Sequence, residues 1–194
     1  ITVFFGAILA TLLAGMKMSR IAPLRWLSTA YIEIIRGTPM LLQLYFFYFA
    51  LPQLIPALNK QKFLCIAIAL VCNSAAYVSE VIRSGIKSVD AGQSEAARSL
   101  GMSKAQCLWH VVMPQALKTI LPALGNEFIM IVKDTSLAST FFIGDLMTQY
   151  LIVRGASYLP LEPLVIVGVI YFILTFLLSK LFGFFERRMS RADR

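Results

Sequence analysis

Long apolar stretches separated by short polar segments dominate the chain. The clearest runs cover residues 1–16, 63–82 and 164–185. Each approaches or exceeds the roughly 20 residues that an α-helix needs to cross a bilayer. Such runs predict transmembrane helices, because a helix satisfies its own backbone hydrogen bonds in lipid. The first run is the shortest and begins at Ile1 rather than at a methionine, so we expect further residues to precede it in the full protein.

Two further apolar regions contain polar interruptions. Residues 23–55 are interrupted at Gly37-Thr38-Pro39, which predicts one broken crossing or, alternatively, an interfacial helix followed by a separate span. The apolar stretch 117–132 is followed directly by the polar residues 133–136. A further amphipathic segment covers residues 139–153. Together with the uninterrupted runs, these patterns predict an all-α integral membrane protein with about five transmembrane helices.

Composition and charge agree with a membrane location. Hydrophobic residues make up 58% of the chain and charged residues 14%, against about 25% charged residues in soluble domains. The net charge is +8, but the basic residues flank apolar segments instead of clustering among aromatic side chains, which argues against nucleic-acid binding. Of the 18 Lys and Arg residues, 14 lie on one side of the predicted topology. The other four are Lys60, Lys62, Lys133 and Arg154. By the positive-inside rule that side is cytoplasmic, with the N-terminus outside and the C-terminus inside.

The usual signs of an enzyme or a metal site are missing from the sequence. His110 is its only histidine, so no metal site is expected. The sequence contains neither a G-x-S-x-G motif nor a G-x-x-x-x-G-K-[ST] phosphate loop. We therefore expect no cofactor on this chain, and an intramembrane enzyme has no support.

The polar segment 90–113 predicts a helix, a turn and a second helix inside one transmembrane domain. Asp90 and Gln93 have the spacing of a capping box, which places the start of the first helix near Ala91. Gly101 suits the left-handed position just past a helix end. By the predicted topology this segment lies in the cytoplasm.

Each predicted helix of segment 90–113 has a distinct face. The first helix presents small and charged residues, namely Glu95, Ala96, Ala97, Arg98 and Leu100. Such a face fits a groove on a partner protein, while a connector that folds back onto its own spans is the alternative. The second helix is predicted to begin with a capping box at Ser103 and Gln106 and to be restricted by Pro114. Its predicted apolar face consists of Ala105, Leu108, Trp109 and Val112.

The spacing of residues in this segment resembles a known signature. The segment resembles the EAA motif of ABC importer permeases. The resemblance lies in Glu95-Ala96-Ala97, followed by three residues, Gly101, nine further residues and then residues 111–114. Val111 and Met113 stand where family members commonly have Ile and Leu, and both keep an apolar side chain. The wider chain resembles the polar amino-acid permeases of type I importers over residues 35–52, 73–89, 92–103, 113–129 and 133–137, in the family's order.

The resemblance implies a type I ABC importer (MetI-like) permease fold over residues 1–194, with a cytoplasmic coupling helix. Such a subunit pairs with a second copy or a sister chain in the bacterial inner membrane. Its coupling helix docks onto a cytoplasmic dimer of ABC ATPase subunits, which bind the ATP and Mg²⁺. An extracytoplasmic amino-acid-binding protein delivers the substrate. The resemblance assigns the ATPase contact to Glu95, Ala96, Ala97, Leu100 and Gly101.

Ionisable and polar residues within predicted spans are candidates for the substrate site, because charge at membrane depth is costly and functional by default. An amino acid brings an ammonium and a carboxylate, which need acceptors and donors respectively. The resemblance places six residues near the pathway: Asn73, Tyr77, Glu80, Asn126, Asp134 and Ser136. Structural alternatives remain open for an ion pair of Glu80 with Arg83, a surface pair of Lys133 with Asp134, a largely structural Glu127, and an interhelical hydrogen bond of Asn73.

The sequence therefore predicts a permease subunit of an ATP-driven importer that moves a polar amino acid by alternating access. Arginine, lysine, histidine or glutamine are the expected types of substrate. One alternative is a secondary amino-acid transporter driven by an ion gradient, with Glu80 or Asp134 as proton carrier. Another is an assembly subunit that transports nothing itself. The aromatic residues of 44–49 are expected to face lipid or to pack between helices.

Overall fold

The computed structural model describes residues 2–191, with side chains up to residue 188. Ile1 and residues 192–194, which belong to the predicted domain and its cytoplasmic tail, lie outside the described residues. The described part is built from helices: α1 Thr2–Met18, α2 Ala22–Arg36, α3 Met40–Phe49, α4 Leu51–Leu54, α5 Lys62–Lys87, α6 Ala91–Ser99, α7 Lys104–Cys107, α8 Met113–Asp134, α9 Leu146–Ser157 and α10 Glu162–Arg191.

The helices account for the predicted spans. Lys62–Lys87 and Glu162–Arg188 are each long and apolar enough to cross a membrane. Two bent pairs, Ala22–Arg36 with Met40–Leu54 and Lys104–Phe141 with Leu146–Ser157, raise the number within residues 2–188 to four if each pair is one span. The shorter apolar helix Thr2–Met18 is the fifth apolar element. The all-α prediction is confirmed, and the count of five holds when α1 and both bent pairs are included.

The predicted break after residue 36 is present. α2 ends at Arg36 and α3 begins at Met40, and the direction of the chain bends by 106° between the two helical parts. The buried side chain of Gln43 stabilises this corner by donating through Nε2 to the carbonyl oxygens of Ile35 at 2.6 Å and Thr38 at 3.1 Å. Those carbonyls lie at a helix end, where intrahelical partners are missing. The corner thus remains fixed even though its helical hydrogen bonds are interrupted.

Small residues bring α1 close to α5. A buried cluster joins three helices. It consists of Ala10 and Leu13 of α1, Ile32 of α2, and Ala75 and Val78 of α5. Small side chains at such an interface let helix backbones approach, which favours van der Waals packing between membrane helices. This cluster holds α1, α2 and α5 together as the centre of the chain.

α8 packs between α5 and α10 through two glycines. A Cβ atom on Gly85 of α5 would lie 2.3 Å from Cγ1 of Ile120, and one on Gly125 of α8 would lie 2.9 Å from Cγ of Phe182. Both distances are shorter than any van der Waals contact. The two glycines therefore allow a close approach of the helices that a larger residue would prevent.

Segment 90–113 begins as predicted, with a different cap. α6 starts at Ala91, and the Asp90 carboxylate accepts a hydrogen bond from Gly92 N–H at 2.8 Å. The Gln93 N–H instead donates to the Asp90 backbone carbonyl at 3.1 Å, so the predicted capping box is replaced by a simpler cap. Gly101 has a φ of +86°, which confirms its left-handed position. The predicted capping box at Ser103 is present.

The second helix of this segment does not stop at Pro114, contrary to the prediction. α7 passes into a π-helical turn, Leu108–Val112, and then directly into α8, with Pro114 in the first turn of α8. A proline lacks a backbone donor and its ring clashes with the carbonyl four residues earlier. In the π turn the Met113 N–H donates to Leu108, five residues back, and the wider turn accommodates the proline.

The same turn changes which residues face inward. Cys107 and Val112 are buried against Ala97, whereas Trp109 is 65% exposed. The prediction of one apolar face from Ala105 to Val112 is therefore wrong, because a π turn inserts an extra residue and rotates the helix face that follows.

The end of α8 also differs from a regular helix. α8 ends at Asp134 and a 3-10 helix runs over Thr135–Phe141, which places a change of helix type at the predicted polar interruption 133–136. The structured regions extend further than expected, since α9 reaches Ser157 and α10 begins at Glu162. The connection between them is therefore shorter than the gap between the apolar stretches 139–153 and 164–185 in the sequence.

Candidate functional site

Glu80 on α5 is the centre of a cluster of charged side chains. Its Oε1 lies 2.7 Å from Nζ of Lys17, and its Oε2 lies 2.7 Å from Nη2 of Arg83 and 3.8 Å from Nη1 of Arg36. The Glu80 side chain is only 15% exposed. The predicted pair with Arg83 is confirmed and is part of a larger network that ties α1 and α2 to α5. A carboxylate with this many cations already around it has little capacity left for a substrate ammonium.

Tyr77 lies one turn before Glu80 and contacts the same network. The guanidinium carbon of Arg36 lies 5.3 Å from the centre of the Tyr77 ring, which is a cation–π distance. The ring therefore contacts Arg36, a residue that sequence reasoning used only as a topology signal.

Asn73 connects α5 to the corner between α2 and α3. Its Nδ2 donates to Oε1 of Gln43 at 2.9 Å, and Gln43 in turn holds the carbonyls of that corner. The interhelical hydrogen bond expected as the structural alternative is thus present. Sequence reasoning missed Gln43, although a glutamine in an otherwise apolar run three residues after Met40 is itself a signal of a polar contact.

α8 presents two carboxylates. Glu127 and Asp134 are seven residues apart, which places them on one side of the helix. Both are partly buried, whereas Lys133 beside Asp134 is exposed. Glu127 also lines a cavity, although sequence reasoning had favoured a structural role for it.

A cavity of about 420 Å³ lies beside Glu127. Its walls are mainly apolar and come from α1, α5, α8 and α10, with Val78, Phe128 and Phe182 among them. Ser74 also lines it, and the Ser74 hydroxyl is buried without a hydrogen-bond partner among the described residues. The cavity thus combines an apolar wall with the Ser74 hydroxyl and with two carboxylates, those of Glu127 and Glu186.

The remaining predicted site residues are less closely connected. Asn126 is exposed next to Glu127, and Ser136 is partly buried in the 3-10 helix that follows Asp134. The predicted residues thus form two groups: Asn73, Tyr77 and Glu80 on α5, and Asn126, Asp134 and Ser136 on α8 and its extension. Arg36 contacts Tyr77 and Glu80 of the first group.

The predicted ATPase-coupling residues lie around the end of α6. Glu95, Ala96 and Gly101 are exposed, and Leu100 is 84% exposed. Ala97 is buried against Cys107 and Val112, so its side chain holds the two short helices together and faces away from solvent. An apolar leucine left in solvent beside a fixed turn is a surface suited to a partner groove.

Comparisons with known proteins agree with these features. The family described as "binding-protein-dependent transport system inner membrane component" matches residues 3–191. The arginine transport system permease protein ArtQ of Bacillus subtilis (strain 168) is 38% identical over 193 residues, which cover 100% of this chain and 88% of that protein. The putative glutamine transport system permease protein GlnP of Rickettsia bellii (strain RML369-C) is 40% identical over 189 residues, covering 97% of this chain and 86% of that protein.

Solved structures show the same fold. A crystal structure of an amino acid ABC transporter with histidines has a TM-score of 0.89 and 46% sequence identity, and the match covers 96% of this chain and 86% of that chain. The MetNI methionine ABC transporter, in an inward-facing conformation, has a TM-score of 0.77 at 19% identity over 97% of this chain and 89% of that chain. These matches confirm the predicted type I importer fold. The chain belongs to the family of inner membrane components of binding-protein-dependent transport systems.

Proposed function

We propose that this permease subunit carries a polar amino acid into the cell by alternating access, driven by ATP hydrolysis on a partner. One observation carries the mechanism: a continuous helical path from Lys104 through the π turn to Asp134. The coupling residues Glu95 to Gly101 precede this path, and Ala97 packs against it at Cys107 and Val112. A displacement of α6 by an ATPase is therefore passed through this packing to the helix that carries Glu127 and Asp134.

The substrate class follows from the chemistry of the site and from the relatives. Glu127 and Asp134 supply negative charge for an ammonium group, and the relatives named for arginine and glutamine transport are polar amino-acid permeases. Asn126 and Ser136 lie next to these carboxylates and offer further hydrogen bonds. Glu80, in contrast, keeps its charge for the helix network, and Asn73 keeps its amide for Gln43.

The partners follow from the same proposal. Glu95, Ala96, Leu100 and Gly101 contact a cytoplasmic ABC ATPase dimer, which binds ATP and Mg²⁺. The apolar, largely uncovered α10 contributes to lipid contact and to pairing with a second permease subunit. An amino-acid-binding protein delivers substrate from outside, with the N-terminus of this chain outside and its C-terminus in the cytoplasm.

The ion-gradient alternative has no comparable support. The family assignment favours a binding-protein-dependent system. A proton carrier must also release and rebind its proton, and Glu80 lies within 2.7 Å of both Lys17 and Arg83. Two close cations hold a carboxylate in its charged form, which is unsuited to that cycle.

The proposal is tested by purifying the chain from its native membrane in a mild detergent and identifying every stoichiometric partner by mass. A co-purifying ABC ATPase is the expected result, followed by ATP-dependent amino-acid uptake in proteoliposomes that contain the complex and are supplied with its amino-acid-binding protein. A permease that purifies without an ATPase, and whose uptake ceases with an ionophore but not without ATP, would contradict it. The presence or absence of a sister permease in the same sample distinguishes a homodimer from a heterodimer.

A further inference from the structure

α2 lies at a steep angle to the helices that cross the membrane. α3 runs antiparallel along the spanning helix α5, since Gln43 near its start contacts Asn73 and Tyr48 near its end contacts Lys62, the first residue of α5. The direction of the chain bends by 106° between α2 and α3. α2 therefore cannot follow the membrane normal together with α3, and its axis is closer to the plane of the membrane.

Both ends of α2 are tied to the coupling end of α5. Lys17, a few residues before α2 begins at Ala22, pairs with Glu80 at 2.7 Å. Arg36, the last residue of α2, lies 3.8 Å from the same carboxylate. Glu80 is about two helical turns before Lys87, where α5 ends and the coupling segment follows. α2 thus lies across the end of the spans that leads to the coupling segment.

The outer side of α2 is divided lengthwise into an apolar strip and a polar strip. Positions three or four residues apart share one side of a helix, and both strips follow that spacing. Trp26 lies between the strips and is 77% exposed. The apolar strip contains Pro23, Leu27, Ala30 and Ile34, and the polar strip contains Arg25, Thr29, Glu33 and Arg36.

This division is typical of a helix that lies in the membrane interface. Such a helix buries its apolar strip among the acyl chains, turns its polar strip toward water and places an indole ring at the level of the headgroups. Leu27 and Ile34 are 64% and 63% exposed, so no protein covers the apolar strip within the described residues. The opposite side of α2 packs inward through Ser28, Ile32 and Ile35.

The basic side chains are concentrated at the start of α2. Arg20 and Arg25 are exposed, and neither side chain forms an ion pair or a hydrogen bond within the described part of the chain. A groove of about 390 Å³ runs along α2 from Arg25 and Trp26 to Glu33. Glu33 is the only acidic residue of α2 and lies about 12 Å from Arg25 along the axis, too far to pair with it directly. The start of α2 therefore presents two unpaired cations beside an exposed indole ring.

We propose that α2 is an interfacial helix that binds anionic phospholipids in the leaflet on the coupling side, with Arg20 and Arg25 on the lipid phosphates and Trp26 at headgroup level. Basic side chains beside a membrane surface favour headgroups with a net negative charge over zwitterionic ones, whose ammonium group offsets the phosphate. This inference goes beyond the proposed function, and the amino acid that is carried does not enter it.

The test measures which lipid contacts Trp26. The purified complex is reconstituted in phosphatidylcholine vesicles that contain increasing fractions of either phosphatidylglycerol or phosphatidylcholine with brominated acyl chains, which quench tryptophan fluorescence on contact. Trp26 and Trp109 are the two tryptophans of the chain, so the difference between wild type and Trp26→Phe isolates the Trp26 signal. Quenching should reach half its maximum at a fraction of phosphatidylglycerol about fivefold or more below that of phosphatidylcholine.

Arginine variants and salt test the electrostatic origin of this preference. The double variant Arg20→Gln with Arg25→Gln should bring the two half-quenching fractions together. Lys60→Gln removes an exposed cation just before the start of α5, at its opposite end, and should leave the preference unchanged. High salt should weaken the preference in the wild type, because exposed charges are screened. If the double variant does not assemble, this salt dependence decides the question.

The contrary outcomes are distinct. Equal quenching by the two lipids in the wild type, a preference unchanged in the double variant, or a preference insensitive to salt would overturn the binding of anionic lipid. Absence of quenching by either lipid would place Trp26 against protein, such as a second permease or the ATPase, and would overturn the interfacial position. ATP-dependent uptake in the same vesicles tests the proposed function separately, since uptake without a lipid preference overturns only this inference.

Discussion

Lys17 at the end of α1 and Glu80 on α5 form an ion pair in which Nζ and Oε1 are 2.7 Å apart. The two residues are 63 positions apart in the chain, so the pair joins separate elements. Arg83 binds the other oxygen of the same carboxylate, and Arg36 adds a longer contact from α2. One side chain on α5 thus contacts the ends of both α1 and α2.

Replacement of Glu80 by Gln should destabilise the protein. The substitution leaves three cations close together without their anion. Because the cluster is only partly buried, the cost should lie between the roughly 1 kcal/mol of an exposed ion pair and the roughly 3 kcal/mol of a buried one. We expect a lower thermal transition for the purified complex in detergent, together with reduced yield. The matched control is Glu33→Gln, an exposed carboxylate on α2, which should leave the transition unchanged. Normal stability of Glu80→Gln would show that the cluster contributes little to the fold.

The contact of Gly85 with Ile120 gives a second prediction. Gly85→Ala places a methyl group 2.3 Å from Ile120 Cγ1 and should destabilise the protein by about 1–3 kcal/mol, as overpacking does. Because Ile120 is buried, Ile120→Ala is itself destabilising, but Gly85→Ala should cost less stability in the Ile120→Ala background than in the wild type. Gly15→Ala has nothing within 4 Å and should be neutral or stabilising, since alanine favours helix. Thermal unfolding of the wild type, the three single variants and the double variant checks these expectations, and an equal cost of Gly85→Ala in both backgrounds would argue against the contact.

Features that depend on nearby residues were predictable from the sequence. The corner at Gly37 to Pro39 and the left-handed Gly101 follow from backbone preferences of single residues. Pro114 was misjudged because a proline is compatible with the first turn of a helix, and the π turn before it depends on the packing of Cys107 and Val112. Periodicity cannot indicate such an inserted residue.

The charge network was beyond what the sequence alone could indicate. A pair of Glu80 with Arg83 follows from their spacing within one helix. The participation of Lys17 and Arg36 depends on how α1 and α2 pack against α5, and both residues were assigned to topology by their charge alone.

Gly101 provides a test of the coupling segment. Its φ of +86° disfavours residues with a side chain, and its neighbour Leu100 is 84% exposed. Gly101→Trp should therefore abolish uptake while ATP hydrolysis by the complex continues, because the turn that presents Leu100 is distorted. Gly101→Asn should retain most of the uptake, since asparagine tolerates the left-handed region better than other residues. Normal uptake by Gly101→Trp would contradict the assignment of this segment to ATPase coupling.

Glu127 and Asp134 should act on substrate binding rather than on folding. Glu127→Gln and Asp134→Asn keep the size of each side chain and remove its charge. A charge-assisted hydrogen bond to an ammonium contributes a substantial part of the binding free energy. Its loss should therefore raise the KM for the transported amino acid about tenfold or more. Membrane yield and ATPase co-purification should stay close to wild type, because no ion pair within 4 Å holds either carboxylate in the described part of the chain.

The comparison with Glu80 makes this prediction specific. Glu80→Gln is expected to act mainly by lowering the stability of the protein. Glu127→Gln and Asp134→Asn are expected to raise the KM while stability stays unchanged. Glu162→Gln, at the exposed start of α10, serves as the control and should alter neither quantity. Unchanged kinetics in both α8 variants would remove these carboxylates from the substrate site. A loss of stability that accompanies the KM change would instead assign them to the packing of α8, since a binding residue without structural partners has no reason to affect assembly.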